Sequence, residues 1–407
     1  MQIHRQRLSG ALAIVATGLL SVGTGGDASA QKNINGQINT ITTAVPFLRI
    51  SPDARSGGMG DVGIAISPDA NAQYWNVAKL PFATKKFGIS ATYTPWLKDL
   101  VPDIYLAYLS AYGKFGQDGN QAISGSLRYF SLGEINYTDI NANPTGTGLP
   151  REFSLDLGYS RRLSTYLSAG LSLRYIHSSI ATGLAQSGID YHPGNTVAAD
   201  LGVYYTKTTE INDNKKNTFS AGAVISNLGG KISYTSTRKD FIPINLGLGA
   251  AYTMQIDEYN KLTFALDVNK LLVPTPLDSF DNSANQTVRY YPDKPVVSGV
   301  FGSFSDAPGG ASEEFKELDV SVGAEYWYQD QFAVRAGYFY EDKTKGDRKY
   351  LTVGIGTKYS VFTLNASYLI PGNASSGVRN PLSNTLRFSL LFDFDKASQA
   401  TADDSGQ

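Results

Sequence analysis

The chain contains no cysteine. Disulfides, thiolate metal sites and lipid attachment through a thiol are therefore all excluded. Charge is sparse, at 17% of the 407 residues, and the formal net charge of −1 leaves no basic excess for a nucleic-acid partner. Histidine is nearly absent: only His177 and His192 lie beyond the first thirty residues, and their spacing has no metal-ligand pattern. His177 is followed by Ser178 and Ser179. Adjacent side chains in a strand point to opposite faces, so no base and nucleophile pair is expected there. The acids Asp278, Asp281, Glu313 and Glu314 read as a solvated loop rather than a calcium site. No catalytic residue, metal or cofactor is assigned, and an enzyme is not expected.

Long apolar runs are also missing, with one exception at the start. Arg5 and Arg7 precede an apolar stretch from Leu8 to Val22, which ends near Ala28, Ser29 and Ala30. That stretch is shorter than the roughly 20 residues a membrane-spanning helix needs, and small residues before Gln31 suit a signal peptidase. Residues 1–30 are expected to be a signal peptide, with the mature chain starting at Gln31.

Aromatics and glycine are abundant instead, with 25 Tyr, 19 Phe and 41 Gly. From about residue 86 apolar and polar residues alternate repeatedly. In the clearest case Phe153, Leu155, Leu157 and Tyr159 interleave with Ser154, Asp156, Gly158 and Ser160. Period two with one apolar face describes a strand facing lipid on one side and a polar lumen on the other. Strands are predicted over residues 87–93, 104–111, 123–130, 153–160, 167–175, 197–205, 219–227, 244–252, 262–268, 318–328, 332–340, 351–357, 362–370 and 386–394. The fold class is therefore all-β: a transmembrane antiparallel barrel of about 14 strands over residues 86–394, with a polar tail at 395–407. Long and short connections alternate, as extracellular loops and periplasmic turns do in such barrels. The longest loop runs from about Asn269 to Glu317. Inward positions carry Arg128, Arg174, Arg335, Lys358 and Arg387 against Asp156, Asp200, Asp267, Asp319 and Glu325. Such balance fits a plugged interior held by ion pairs.

Residues 31–85 lack the alternation and carry a repeated tetrapeptide, Ser51-Pro52-Asp53-Ala54 and Ser67-Pro68-Asp69-Ala70. Each is predicted to start a helix, with Ser as cap, Pro at the first position and Asp in the first turn. Gly58, Gly60 and Gly63 satisfy a dinucleotide-loop spacing. No strand precedes them, so tight turns inside a barrel are expected instead. The run from Pro46 to Leu80, PFLRISPDARSGGMGDVGIAISPDANAQYWNVAKL, resembles the start of the PorV family, an outer-membrane barrel component of the type IX secretion system of Bacteroidetes. The residues that carry the resemblance include Pro46, Arg49, Pro52, Asp53, Arg55, Gly57, Gly58, Met59, Gly60, Asp61, Pro68, Asp69, Trp75 and Asn76.

The resemblance implies a FadL-like barrel with residues 31–85 folded into the lumen as a plug. It also implies an integral protein of the Gram-negative outer membrane with three partners: a SprA (Sov)-type translocon, a PorU-type sortase, and the C-terminal domains of secreted cargo proteins. The alternatives are a FadL-like channel for hydrophobic solutes and an outer-membrane enzyme. A candidate partner surface is the long outer loop, with Phe280, Tyr290, Tyr291, Phe301 and Phe304 as aromatic anchors and help from residues 131–152.

Overall fold

The structure is a computed structural model that describes residues 38–96, 103–138, 141, 143–180, 191–212, 215–236, 238–281, 286–372 and 385–395. The expected signal peptide, the start at Gln31 and nearly all of the polar tail lie outside the described residues. Among the described residues there are eighteen strands: β1 (Phe87–Pro95), β2 (Ile104–Phe115), β3 (Gln121–Leu132), β4 (Ile135–Thr138), β5 (Pro144–Gly148), β6 (Arg151–Arg162), β7 (Leu167–Ser179), β8 (Gly194–Asn212), β9 (Lys215–Gly229), β10 (Asn245–Gln255), β11 (Asn260–Leu271), β12 (Leu277–Asp281), β13 (Gln286–Tyr290), β14 (Leu318–Tyr328), β15 (Phe332–Tyr340), β16 (Lys349–Tyr359), β17 (Phe362–Pro371) and β18 (Leu386–Phe394). Fourteen of them form one closed barrel, in which β1 pairs with β18 and every pairing is antiparallel. The other four form two separate hairpins, β4 with β5 and β12 with β13, within connections on the long-loop side.

All fourteen predicted strands are barrel strands. Alternating burial explains why: along β6 the exposed Leu155, Leu157 and Tyr159 face outward, while Ser154, Asp156 and Ser160 are buried inside. The outward Leu and Tyr meet hydrocarbon, and the even strand number with full closure leaves the barrel itself without an edge strand. Two boundaries differ from expectation. The connection left between the predicted strands 197–205 and 219–227 is strand for most of its length, because β8 continues to Asn212 and β9 begins at Lys215. Thr206, Thr208, Thr218 and Ser220 bond across this extension, so a threonine ladder carries the pairing past the lipid-facing band. Likewise β11 runs to Leu271, so the long loop starts after it.

Residues 38–83 fold inside the barrel, in short helical turns. They include α1 (Ala54–Gly57) and α2 (Ala72–Trp75), with 3-10 turns at Pro46–Arg49 and Val77–Phe82. The tetrapeptides are not helix starts in the way expected. Asp53, not Ser51, caps α1, accepting from the Ser56 amide at 2.8 Å. In the second copy Asp69 accepts from the Asn71 amide at 2.8 Å, and α2 begins only at Ala72. An aspartate is the stronger acceptor at a cap, and Pro52 and Pro68 then hold the extended chain that leads into each turn. At the outer end Val45, Phe47 and Leu48 pack with Ile176, Ile232, Ile242 and Leu272 in an apolar core cluster.

Candidate functional site

The plug is bound to the wall through complementary charge. Arg55 donates twice to Glu325, Nε to Oε2 at 2.9 Å and Nη2 to Oε1 at 2.8 Å, while Arg335 holds the same carboxylate from the wall at 2.7 Å. Burial alone would lower the Arg55 pKa; the Glu325 and Asp69 carboxylates outweigh it and raise it. Arg49 pairs with Asp319 at 2.5 Å. Asp61 pairs with Arg387 at 3.1 Å and accepts from the Tyr350 hydroxyl at 2.5 Å. Asp267 accepts from the plug amides of Gly63 and Ile64 at 2.7 and 2.9 Å. Each of these wall groups faces a lumen closed to lipid, where pairing offsets the cost of burying charge.

Within the plug, Asp53 also accepts from the Trp75 indole at 2.7 Å. Burial, with Asp69 nearby, raises the Asp53 pKa against these two donors. Arg55 reaches Asp69 at 3.1 Å and the Ser67 hydroxyl at 2.7 Å, so the second tetrapeptide serves the first. Lys79 is buried and donates to the Gly63 carbonyl at 2.5 Å, and burial pulls its pKa down to about 8. Asn76 donates to the Val203 carbonyl at 3.0 Å.

Wall glycines mark the path of the plug. A Cβ on Gly337 would stand 2.0 Å from the carbonyl carbon of Met59, and one on Gly323 would stand 2.4 Å from the Met59 oxygen. Gly58 meets Gly354, Gly57 lies under Arg387, and Gly202 and Gly222 receive Asn76. Gly60 has a φ of 73°, a conformation that favours glycine, at the turn that presses on Tyr338. The inward glycines were missed in the sequence, although Gly158 stands in the quoted alternation. Their signal is an inward position with no side chain, meaningful only once a second layer is known to lie against it.

Not every inward charge is ion-paired as expected. Arg174 is held by Asp156, by Asp200 at 2.9 Å and by Asn227, all from the wall. Arg128 has no carboxylate partner among the described residues. It donates to the Leu48 carbonyl at 2.9 Å and lies 4.4 Å from the Tyr74 ring centroid, so carbonyl oxygen and a ring face take the cation. His177 and Ser178 have separate partners: the imidazole bonds Asn195 at 2.8 Å, and the hydroxyl donates to Glu152 at 2.6 Å.

The outer loop carries β12, β13, α3 (Val296–Gly302) and α4 (Ala311–Lys316). Its base is pinned by charge: Lys270 bonds Glu314 and Glu317 at 2.9 and 2.6 Å, and Lys345 bonds Glu313 and Glu317 at 2.6 and 3.0 Å. Glu313 and Glu314 are thereby engaged rather than free and solvated. The aromatic candidates do not form one patch. Tyr290 and Tyr291 line a cavity of about 640 Å³ at the barrel mouth with Tyr234, Phe241 and Thr42, whereas Phe301 is 73% exposed on α3 and Phe304 is 49% exposed just after it. Phe280 lies on β12, but its side chain is outside the description. Leu272 and Val273 are buried in the outer core cluster. Sequence reasoning missed Phe315, exposed to 73% on α4.

A closed, even-stranded antiparallel barrel with an apolar outward face and a lumen filled by its own N-terminal segment is an outer-membrane β-barrel protein. Residues 32–278 match the family described as type IX secretion system protein PorV, and the chain belongs to that family. No curated protein matches it. Solved structures of similar outline include the toluene transporter TodX of P. putida, 12% identical over 85% of this chain and 99% of that one, with a TM-score of 0.48. They also include the Ralstonia pickettii toluene transporter TbuX, at 11% identity, 85% and 99% coverage and a TM-score of 0.46. A Pseudomonas aeruginosa FadL homologue aligns at 11% identity over 88% of this chain and 99% of that one, TM-score 0.42. Likeness at this level carries nothing about what this barrel binds.

Proposed function

We propose that this outer-membrane barrel is a protein-binding component of type IX secretion: it docks beside a SprA (Sov)-type translocon, receives secreted proteins by their C-terminal domains, and delivers them to a PorU-type sortase. The observation that carries this reading is the outer loop over a filled lumen. Phe301 is 73% exposed on a loop whose base is held by Lys270 and Lys345, so an aromatic anchor is offered from an ordered support. Aromatics on such supports dominate protein interfaces, often at more than about 2 kcal/mol each. The reading includes removal of residues 1–30 and a mature start at Gln31, a plug over residues 31–85, a barrel over 86–394, a polar tail over 395–407, and no catalytic role.

A FadL-like conduit for hydrophobic solutes needs a continuous apolar path. The lumen is instead crossed by the Arg55, Glu325 and Arg335 cluster, and the void beside Arg49, Asp61 and Arg174 measures about 100 Å³. The test replaces residues 275–310 by a short Gly-Ser linker and measures barrel assembly with co-purification of translocon, sortase and cargo. Assembly with loss of at least one partner is expected. Normal assembly with all three retained would refute the loop as the docking surface.

A further inference from the structure

Part of the outer loop folds down over the outside of the wall. Lys270 occupies the outward register of β11, in line with Phe264, Leu266 and Val268, and stands between Leu246 of β10 and Leu318 of β14. A lysine on the lipid side is costly near the bilayer midplane, less so toward the interface. This one is only 8% exposed, because the loop covers it and supplies Glu314 and Glu317 as partners. Beneath that cover is a cleft of about 330 Å³. Its floor is two successive rows of the lipid-facing wall, represented by Leu246, Leu248 and Val268; its roof is Phe304, Ala311 and Phe315 from the loop. Leu248 and Phe315 remain exposed to 51% and 73%.

The floor identifies the occupant. It continues the apolar outward face of the wall, so a hydrocarbon chain lying along that face can run into it. The volume is near the low end of small-ligand sites, roughly 300–1,000 Å³, which suits a single chain. One end carries the charged Lys270 and Glu314, where a polar head would sit. We propose that this cleft clamps one acyl chain of an outer-leaflet lipid between wall and loop, so that this lipid exchanges more slowly than those around the rest of the barrel. The inference does not depend on the secretion role.

The test reconstitutes the full chain into phosphatidylethanolamine vesicles containing a phospholipid with a diazirine on its acyl chain. The sample is irradiated and the labelled residues are mapped by mass spectrometry. Labelling at Phe304, Ala311 and Phe315 is expected to exceed that at the lipid-facing Phe388 by about tenfold. Ala311→Trp, which fills the cleft, should abolish the excess and leave Phe388 unchanged. Phe315→Asp should do the same, and unboiled gel mobility shows that both variants are assembled. Uniform labelling of wall and cleft, or an excess that survives Ala311→Trp in an assembled barrel, would overturn the proposal.

Discussion

The two arcs of the barrel wall treat buried charge differently. In the arc from β6 to β9, Arg174 is satisfied by Asp156, Asp200 and Asn227, so the wall closes its own network. In the arc from β11 to β18, Asp267, Asp319, Glu325 and Arg387 each take a plug group as partner. The difference assigns roles. The charges of the first arc are paired within the wall and it meets the plug through neutral contacts such as Asn76 on Val203, whereas the charges of the second are half of a set whose other half is residues 49–64. Seating the plug is therefore what makes the second arc electrostatically whole. The barrel's hydrogen-bonded closure is made by the pairing of β1 with β18.

Deleting residues 38–83 should have the largest effect. The barrel is expected to assemble, because strand pairing closes it, but the temperature at which its unboiled gel mobility is lost should fall sharply. Failure to insert would mean that the plug templates the second arc. Gly337→Val comes next, since even a Cβ there would strike the Met59 carbonyl carbon at 2.0 Å. Proteolysis of the plug in the assembled barrel should become rapid, while Val at Gly113, whose nearest neighbour would be 3.7 Å away, leaves it protected. Arg55→Ala and Arg174→Ala separate the arcs directly. Arg174→Ala leaves Asp156 and Asp200 without their cation, at a cost of about 3–5 kcal/mol, whereas Arg55→Ala leaves Glu325 to Arg335 and should cost less. Only Arg55→Ala should expose the plug to protease; equal exposure in both would erase the distinction. Asp330→Ala, which removes an exposed pair with Lys261, should change heat resistance by less than about 1 kcal/mol.

The barrel strands were legible because lipid outside and polar lumen inside impose period two on every one of them. β4, β5, β12 and β13 were not, since a loop hairpin has no lipid face to write that pattern. The inward charges were legible as a set, but not their partners. Arg55 and Glu325 are 270 positions apart, and nothing local distinguishes Glu325, which takes a plug arginine, from Asp156, which takes a wall one. The tetrapeptides announced turns correctly and misplaced the helix starts, because two acceptors competed for the cap and Asp53 won over Ser51. In the loop, aromatic content pointed to the right segment. It could not separate Tyr290 at the mouth from Phe304 over the outer wall, which depends on how Lys270 draws α4 down.

A lumen filled by residues 38–83 leaves the outer surface as the place where the proposed partners dock. Planar-bilayer conductance tests that filling most directly, comparing the intact chain with the chain lacking residues 38–83. The intact barrel should be electrically silent and the deleted one should show stable, large conductance steps. An intact chain that conducts as the deleted one does would contradict the account, because the plug would then not close the lumen.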